Sequence, residues 1–210
     1  LAGKVDDASK KVLQEAAKGN NSTLLFLDDI VKIRNIDLTM DGSYFDLRIE
    51  LPARSAAFDR LYVKLSGEHQ IHNACLAASA ALLQNKFTVT ENHIREGLKS
   101  AGWRARLEWM SRKPAILLDA AHNPAGMKTL RRSLEEIYKP HFKNMFLIVG
   151  MLNDKDHERA MDEILPPFEF VITVTPNSPR AMDGKLLLET IRSKHNNAEF
   201  VEGIHAAVKK

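Results

Sequence analysis

The second half of this sequence alternates short apolar runs with stretches of helical periodicity. The apolar runs lie at residues 115–118, 146–149, 170–174 and, more weakly, 199–201. The helical stretches lie at about 124–138, 157–165 and 183–195. A continuous apolar run is typical of a strand that is covered on both faces, and helical crossovers of this length join parallel strands. The pattern therefore predicts an α/β fold with a mostly parallel, Rossmann-like sheet of the doubly wound type.

The first half of the sequence has a mixed pattern. It predicts, in chain order, a helix with Val5, Ala8 and Val12 on one face, strands at 24–27, 45–51 and 61–65, and helices at 70–83 and 91–100, the last capped by Thr90. The order of elements changes near residues 109–114. We therefore expect an α/β domain at 1–110 and the Rossmann-like domain at 111–210.

Composition excludes several classes of protein. The 210 residues are 44% hydrophobic and 27% charged, as in a globular protein with a core of its own. A net charge of +3 is too small and too scattered for a nucleic-acid-binding surface. No apolar run is long enough to span a membrane, and the single cysteine, Cys75, cannot form an internal disulfide. We expect a cytoplasmic protein without nucleic-acid or membrane partners.

Polar segments follow the first three predicted strands of the second half, at 119–124, 153–157 and 175–180. Ligands of doubly wound sheets bind beyond the carboxyl ends of the strands, so one sheet edge is the predicted site. Asn123 and Pro124 predict a helix start, whose free N–H groups favour an anion. Asp119 and His122 would then orient a substrate or ligate a phosphate-bound cation. Equally, Asp119 could cap the turn and His122 could be an ordinary surface residue.

Two cations in the later segments are ambiguous on the residues alone. Lys155 lies between Asp154 and Asp156, so it is either neutralised locally or available to a substrate carboxylate. Arg180, after the segment 177–179, has the same two readings.

A second group of candidates lies in the first half. Gly67 permits a sharp turn into a helix that carries His69 and Asn73 on one face, where they could contact a nucleotide base or ribose. The residues alone favour a plainer reading, a capped helix whose alanines pack closely in the core. Arg106 has the forked guanidinium that suits phosphates, but a solvated linker residue is the more common case.

Several well-known motifs are missing from the sequence. It contains no G-x-x-x-x-G-K-[ST] phosphate loop and no G-x-G-x-x-G fingerprint. It also lacks paired cysteines, H-E-x-x-H and G-x-S-x-G. We therefore assign no metal-binding residue to this chain.

Five segments in order resemble the folylpolyglutamate synthase / dihydrofolate synthase family of the Mur ligase superfamily. They are Gly67-x-His69-Gln70-x-x-Asn73-Ala74, Trp103-x-x-Arg106-Leu107-Glu108, Leu118-Asp119-x-Ala121-His122-Asn123-Pro124, Asp154-Lys155-Asp156 and Asn177-Ser178-Pro179-Arg180-Ala181. Each segment is weak alone, but the five span nearly the whole chain. The resemblance implies that 1–110 is the later part of a Mur ligase-type ATP-binding domain and 111–210 a glutamate ligase domain.

The resemblance implies an ATP-dependent ligase that adds L-glutamate to folate or dihydropteroate through an acyl phosphate. Its implied site residues are His69, Gln70 and Asn73 at the adenosine of ATP, Arg106 at its phosphates, Asp119 and His122 at the glutamate and acyl-phosphate site, Lys155 at the glutamate carboxylates and, more loosely, Arg180 there too. Such chemistry rests on positioning and electrostatic stabilisation, which cations and a helix N-terminus suit.

The sequence also departs from the family pattern. Ala120 stands where family members usually carry glycine, and the phosphate loop, the Mg²⁺ ligands and the carbamylated lysine are absent. We therefore expect a fragment that lacks the N-terminal phosphate-loop region and the extreme C-terminus, and that is inactive alone. The whole protein would be a monomer using ATP and Mg²⁺, with the metal ligands outside this chain.

Two other hypotheses remain open. One is a fragment of a peptidoglycan Mur ligase, although Gln70, where those ligases usually carry asparagine, and the form of the 119–124 segment favour the folate branch. The other is a non-catalytic ligand-binding module that keeps a ligase-like fold. The missing phosphate loop gives this second hypothesis some support.

Overall fold

The computed structural model describes all residues from 1 to 210. The chain divides into two compact units, Leu1–Leu107 and Glu108–Lys210. The first unit contains α1 (Asp7–Gly19), α2 (Leu27–Ile30), β1 (Val31–Thr39), β2 (Gly42–Leu51), β3 (Arg54–Val63), α3 (Glu68–Leu83) and α4 (Glu91–Ser100). The second contains β4 (Glu108–Arg112), β5 (Ala115–Leu118), α5 (Pro124–Ser133), β6 (Phe146–Val149), α6 (His157–Ile164), β7 (Phe170–Thr173), α7 (Gly184–Arg192), β8 (Ala198–Phe200) and α8 (Ile204–Lys209).

An antiparallel sheet of three strands, in the order β1-β2-β3, forms the framework of the first unit. The alternation predicted for 45–51 is confirmed in β2, because its apolar side chains are buried while Arg48 and Glu50 are exposed. Helix α3 packs on this sheet and buries Ile71, Ala74 and Cys75 in the same core. Burial raises the pKa of the Cys75 thiol to about 12, so this cysteine is a packing residue.

The second unit contains a parallel sheet in the order β6-β7-β8 and a separate antiparallel hairpin, β4-β5. Helices α6 and α7 bury an apolar stripe each, with Met161, Ile164, Leu187 and Ile191 fully buried. A turn of π-helix, Leu134–Tyr138, and a short 3₁₀ turn, Lys139–His141, continue the chain beyond α5. The mixed α/β class and the parallel sheet predicted from the sequence are confirmed.

Three predicted elements differ from the structure. The run at 115–118 forms β5, which pairs antiparallel with β4 and leaves Leu118 41% exposed, so its predicted place in the parallel sheet is wrong. Residues 24–27 form no strand, only an isolated bridge between Ala2 and Phe26 before α2 begins. The predicted apolar face of the first helix is not buried in the structure, since Val12 is 65% exposed and α1 has no buried residue. A short apolar run does not show whether it forms a strand of the parallel sheet, a hairpin strand or no strand. Its pairing and its burial depend on which distant segment packs against it, and the run itself does not report that segment.

Strand β1 was not predicted. Its alternation of apolar and polar residues is interrupted near Asn35, which has φ 49° and lies where the pairing with β2 changes register. None of the helices combines the length and apolar character that a membrane crossing requires.

Candidate functional site

The segment between β5 and α5 is fixed by its own backbone. Asp119 Oδ1 accepts a hydrogen bond of 2.8 Å from the Ala121 N–H, which closes a tight turn directly after the strand. His122 Nδ1 lies 2.9 Å from the carbonyl oxygen of Ala120. A carbonyl can only accept, so Nδ1 carries the proton and the lone pair of the neutral ring is at Nε2. Asp119 and His122, both predicted site residues, therefore lie in one ordered turn.

This turn leads directly into the amino end of α5. Asn123 Oδ1 accepts from the Gly126 N–H at 2.7 Å, and Pro124 occupies the first helical position. Both features agree with the sequence prediction of a capped helix start. Pro124 has no N–H and the Gly126 N–H is bonded to Asn123, so the Ala125 N–H and the dipole of α5 are what this helix start offers to an anion. That arrangement favours negative charge near His122.

The loops after β6 and β7 are joined to each other by hydrogen bonds. Asn153 donates twice, from its backbone N–H to the Arg180 carbonyl and from its side-chain amide to the Ala181 carbonyl, each at 2.9 Å. The Met182 N–H donates to the Met151 carbonyl at 2.9 Å, and both methionine side chains are buried beneath the loops. The two segments, 151–153 and 180–182, are nearly thirty residues apart in sequence but are joined into one surface at the carboxyl edge of the sheet. We call this surface the ledge.

On this ledge, Asp154, Lys155 and Arg180 form what we call the loop cluster. Asp154 Oδ2 lies 3.6 Å from Lys155 Nζ and 3.6 Å from Arg180 Nη1. The pKa of Asp154 is lowered: desolvation acts against this, but its own backbone N–H and the charges of Arg180 and Lys155 outweigh it. The structure thus brings the two predicted glutamate-binding cations together around one carboxylate.

In the first unit, α3 begins with a sharp turn at Gly67, which has φ 101°. A residue with a Cβ would be strained in that conformation. The preceding Ser66 is buried and donates from its hydroxyl to the Thr39 carbonyl at 2.7 Å, which ties the turn to the end of β1. The predicted role of Gly67 in turning the chain into the helix agrees with this geometry.

His69, Gln70 and Asn73 on the first turns of α3 form what we call the α3 cluster. The Gln70 amide nitrogen lies 3.1 Å from His69 Nε2, and Asn73 Nδ2 donates to Gln70 Oε1 at 3.1 Å. An amide nitrogen can only donate, so His69 Nε2 accepts, and the orientation of the Gln70 amide is fixed. Gln70 is only 5% exposed, whereas Asn73 lies at the surface. Gln70 therefore holds its two neighbours in place.

Arg106 lies in a strained segment at the end of the first unit. Its neighbours Ala105 and Leu107 both have left-handed backbone, with φ 54° and 48°. Non-glycine residues in this region cost free energy and often mark functional positions. The half-buried guanidinium of Arg106 donates to the Ala105 carbonyl at 3.1 Å. This side chain is therefore held by its own segment.

No role was predicted for Asn153, and Asp154 was predicted only as a neighbour that could neutralise Lys155. Their importance depends on contacts with residues after β7, and no spacing along the chain reports such contacts. Only two of the three predicted polar segments follow strands of the parallel sheet, because β5 lies outside it.

No group of three or more histidine, cysteine, aspartate or glutamate side chains in the chain could hold a metal ion.

Comparison with known proteins places these features in a family. The family described as "Mur ligase, glutamate ligase domain" matches residues 105–210. The folylpolyglutamate synthase of Lacticaseibacillus casei is 35% identical over 126 residues, which cover 58% of this chain and 29% of that protein. A dihydrofolate synthase/folylpolyglutamate synthase of Mycobacterium tuberculosis is 31% identical over 145 residues, which cover 66% of this chain and 29% of that protein.

Solved structures give the same result for the fold. Folylpolyglutamate synthase of Mycobacterium tuberculosis, solved with ADP, has a TM-score of 0.88 at 24% identity over 99% of this chain and 45% of that one. The enzyme of Thermotoga maritima has a TM-score of 0.77 at 28% identity over 99% of this chain and 48% of that one. The chain thus spans less than a third of these two curated relatives and less than half of the solved chains. The resemblance inferred from the five segments is confirmed, and the chain belongs to the Mur ligase family through its glutamate ligase domain.

Proposed function

We propose that this chain supplies the glutamate-binding part, and some of the nucleotide-binding part, of an ATP-dependent ligase. The ligase joins L-glutamate to a carboxyl group of folate or dihydropteroate through an acyl phosphate. The observation that carries the proposal is the arrangement of side chains in the matched ligase domain. His122 lies in a turn at a helix start, and Lys155 and Arg180 lie together on the ledge. The identity with relatives named folylpolyglutamate synthase supports the folate branch.

The loop cluster is proposed to receive the carboxylates of L-glutamate. Lysine offers three donors and arginine five, and one aspartate neutralises only one of the two charges. A net positive charge therefore remains beside Lys155 and Arg180 for an incoming anion. Arginine and lysine at such a ledge match carboxylate oxygens in charge and in hydrogen bonding.

The histidine turn is proposed to handle the amine and the acyl phosphate. With its proton at Nδ1, His122 can accept a proton at Nε2 from the amino group of L-glutamate, which must be neutral to attack. Asp119, held by the Ala121 N–H, would orient the same group. The amino end of α5 favours the negative charge that develops on the acyl phosphate.

The first unit is proposed to contact the nucleotide. His69 and Asn73, held by the buried Gln70, would contact the adenosine, and Arg106 the phosphates. The relative from Mycobacterium tuberculosis was solved with ADP, which supports a nucleotide as substrate. Another relative was solved with Mn, AMPPNP and L-glutamate, so we propose that the ligase also uses a divalent metal, Mg²⁺. The residue roles proposed above do not depend on that metal.

A G-x-x-x-x-G-K-[ST] loop, which would bind the phosphates of ATP, is not among these 210 residues. We therefore propose that the chain alone does not turn over ATP. We further propose that the whole ligase is a cytoplasmic monomer whose partners are its small-molecule substrates.

Titration of the purified chain with L-glutamate, followed by NMR, tests the glutamate assignment. We expect saturable binding, and we expect Lys155→Ala to weaken it about tenfold because a charge-assisted hydrogen bond is lost. Lys128→Ala, an exposed lysine in α5 of the same unit, is the matched control and should bind like the unmodified chain. Equal binding by both variants would contradict the assignment. Steady glutamate-dependent ADP release by the chain would contradict its inactivity alone.

A further inference from the structure

The carboxylate of Asp154 occupies an unexpected place in a site for an anionic substrate. Simple electrostatics would exclude a negative charge from such a site, because it competes with the substrate for the cations. Here, nevertheless, a single oxygen, Oδ2, lies at 3.6 Å from both Lys155 Nζ and Arg180 Nη1. These distances are those of ion pairs rather than short hydrogen bonds, so both cations keep donors for other partners.

The ledge beneath Asp154 anchors the backbone from which its carboxylate projects. Asn153, the preceding residue, is bonded to Arg180 and Ala181 through two hydrogen bonds of 2.9 Å. The Lys155 N–H donates to the Leu152 carbonyl, and Leu152 forms a bridge with Ala181. The backbone on both sides of Asp154 is therefore anchored, while its two cationic partners are long and flexible side chains.

Without Asp154, the two cations would repel each other. Arg180 is 65% exposed and Lys155 27% exposed, so the arginine in particular has room to turn into solvent. Each side chain loses considerable rotamer freedom when it is held in one geometry. A carboxylate on an anchored backbone between them offsets that cost before the substrate arrives, which is preorganisation.

On the basis of the proposed function, we propose that Asp154 is a positioning residue. It holds Lys155 and Arg180 as a pair of cations that together select an amino acid with two carboxylates, L-glutamate, over its side-chain amide, L-glutamine. Asp154 does not contact the substrate in this scheme. It acts through the two side chains that do.

The test compares Asp154→Asn with the unmodified chain in NMR titrations with L-glutamate and L-glutamine. Removing a negative charge would strengthen binding of any anion if Asp154 were only a competing charge. Positioning predicts the opposite: L-glutamate binds about tenfold more weakly, L-glutamine binding changes little, and the preference for L-glutamate is lost. Asp154→Glu keeps the charge and should restore much of that preference.

Asp162→Asn is the matched control. Asp162 is an exposed carboxylate of the same unit that pairs with Lys194 at 2.5 Å, so its removal changes net charge equally without touching the ledge. We expect its preference for L-glutamate to equal that of the unmodified chain. If Asp154→Asn keeps the preference or binds L-glutamate more tightly, the positioning role is wrong while the proposed function stands. If the unmodified chain does not bind L-glutamate, both are wrong.

Discussion

The α3 cluster and the loop cluster each hold polar side chains close together, but different interactions hold them. In the α3 cluster, three residues within one turn and a half of helix bond to each other above a buried core. In the loop cluster, residues from two distant loops meet on a ledge made by backbone hydrogen bonds. The first depends on local helix geometry and packing. The second depends on the topology of a parallel sheet.

The largest expected effect concerns the core under the α3 cluster. Ile71 follows Gln70 on α3 and is fully buried in the core of the first unit. Ile71→Ala should lower the free energy of unfolding by about 2–5 kcal/mol, because it removes buried methyl groups and leaves a cavity. Urea denaturation measures this, with Ile204→Ala as the control, since Ile204 is half exposed in α8. A loss no larger than that of the control would mean that α3 does not rest on this core.

The next effect concerns the ledge of the loop cluster. A Cβ added at Gly150 would lie 2.8 Å from Pro176 Cγ and 2.9 Å from the Val174 carbonyl oxygen, which is too close for either. Gly150→Ala should therefore force the two loops apart, lower the free energy of unfolding by about 1–3 kcal/mol and weaken binding of L-glutamate.

Gly97→Ala provides the control for Gly150→Ala. A Cβ at Gly97 meets nothing within 4 Å, and alanine is favoured over glycine in a helix such as α4. We expect this variant to be as stable as the unmodified chain or slightly more stable in urea. A Gly150→Ala variant that behaved in the same way would show that the loops can separate without cost.

The two clusters also differ in how far the sequence could predict them. Helical spacing alone indicates that His69 and Asn73 share one face, and the cap at Asn123 is equally predictable because both signals are local. The pairing of Asp154 with Arg180 is not predictable in this way, since it depends on which strands are neighbours. The same limit explains the error at β5, where an apolar run indicated a buried strand but its partner was a hairpin strand. Arg106 could be predicted only in part. Its guanidinium indicated a phosphate-binding role, but the left-handed backbone of its neighbours is visible only in the structure.

A smaller effect should separate binding from stability in the α3 cluster. Gln70→Leu removes the amide that bonds to His69 and Asn73 but keeps a side chain of similar size in a buried position. We expect the free energy of unfolding to change by less than about 1 kcal/mol, because the two lost hydrogen bonds lie close to the surface, where Asn73 is exposed. ADP binding, measured by calorimetry, should weaken about tenfold if these side chains contact the nucleotide. A variant that loses stability but keeps its ADP affinity would make the cluster purely structural.

The smallest effect compares two aspartates whose pKa values are both lowered, one in each unit. Asp46 is held by hydrogen bonds from the Arg60 N–H at 2.7 Å and the Asn35 amide at 2.6 Å. Asp154 depends in part on the charges of Arg180 and Lys155. Salt screens exposed charges but hardly affects hydrogen bonds, so high NaCl should raise the pKa of Asp154 toward its ordinary value and leave that of Asp46 lowered.

Carbon-13 NMR titration of both carboxyl groups at low and high NaCl measures this difference. Because both pKa values are lower in the folded state, each carboxylate stabilises the fold at neutral pH, and that stabilisation is lost as the pH falls from the ordinary aspartate range through the lowered pKa. At high NaCl the acid-sensitive contribution of Asp154 should shrink and that of Asp46 should persist. If both aspartates respond equally to salt, the loop cluster is held by hydrogen bonds as local as those around Asp46, and charge does not distinguish the two regions.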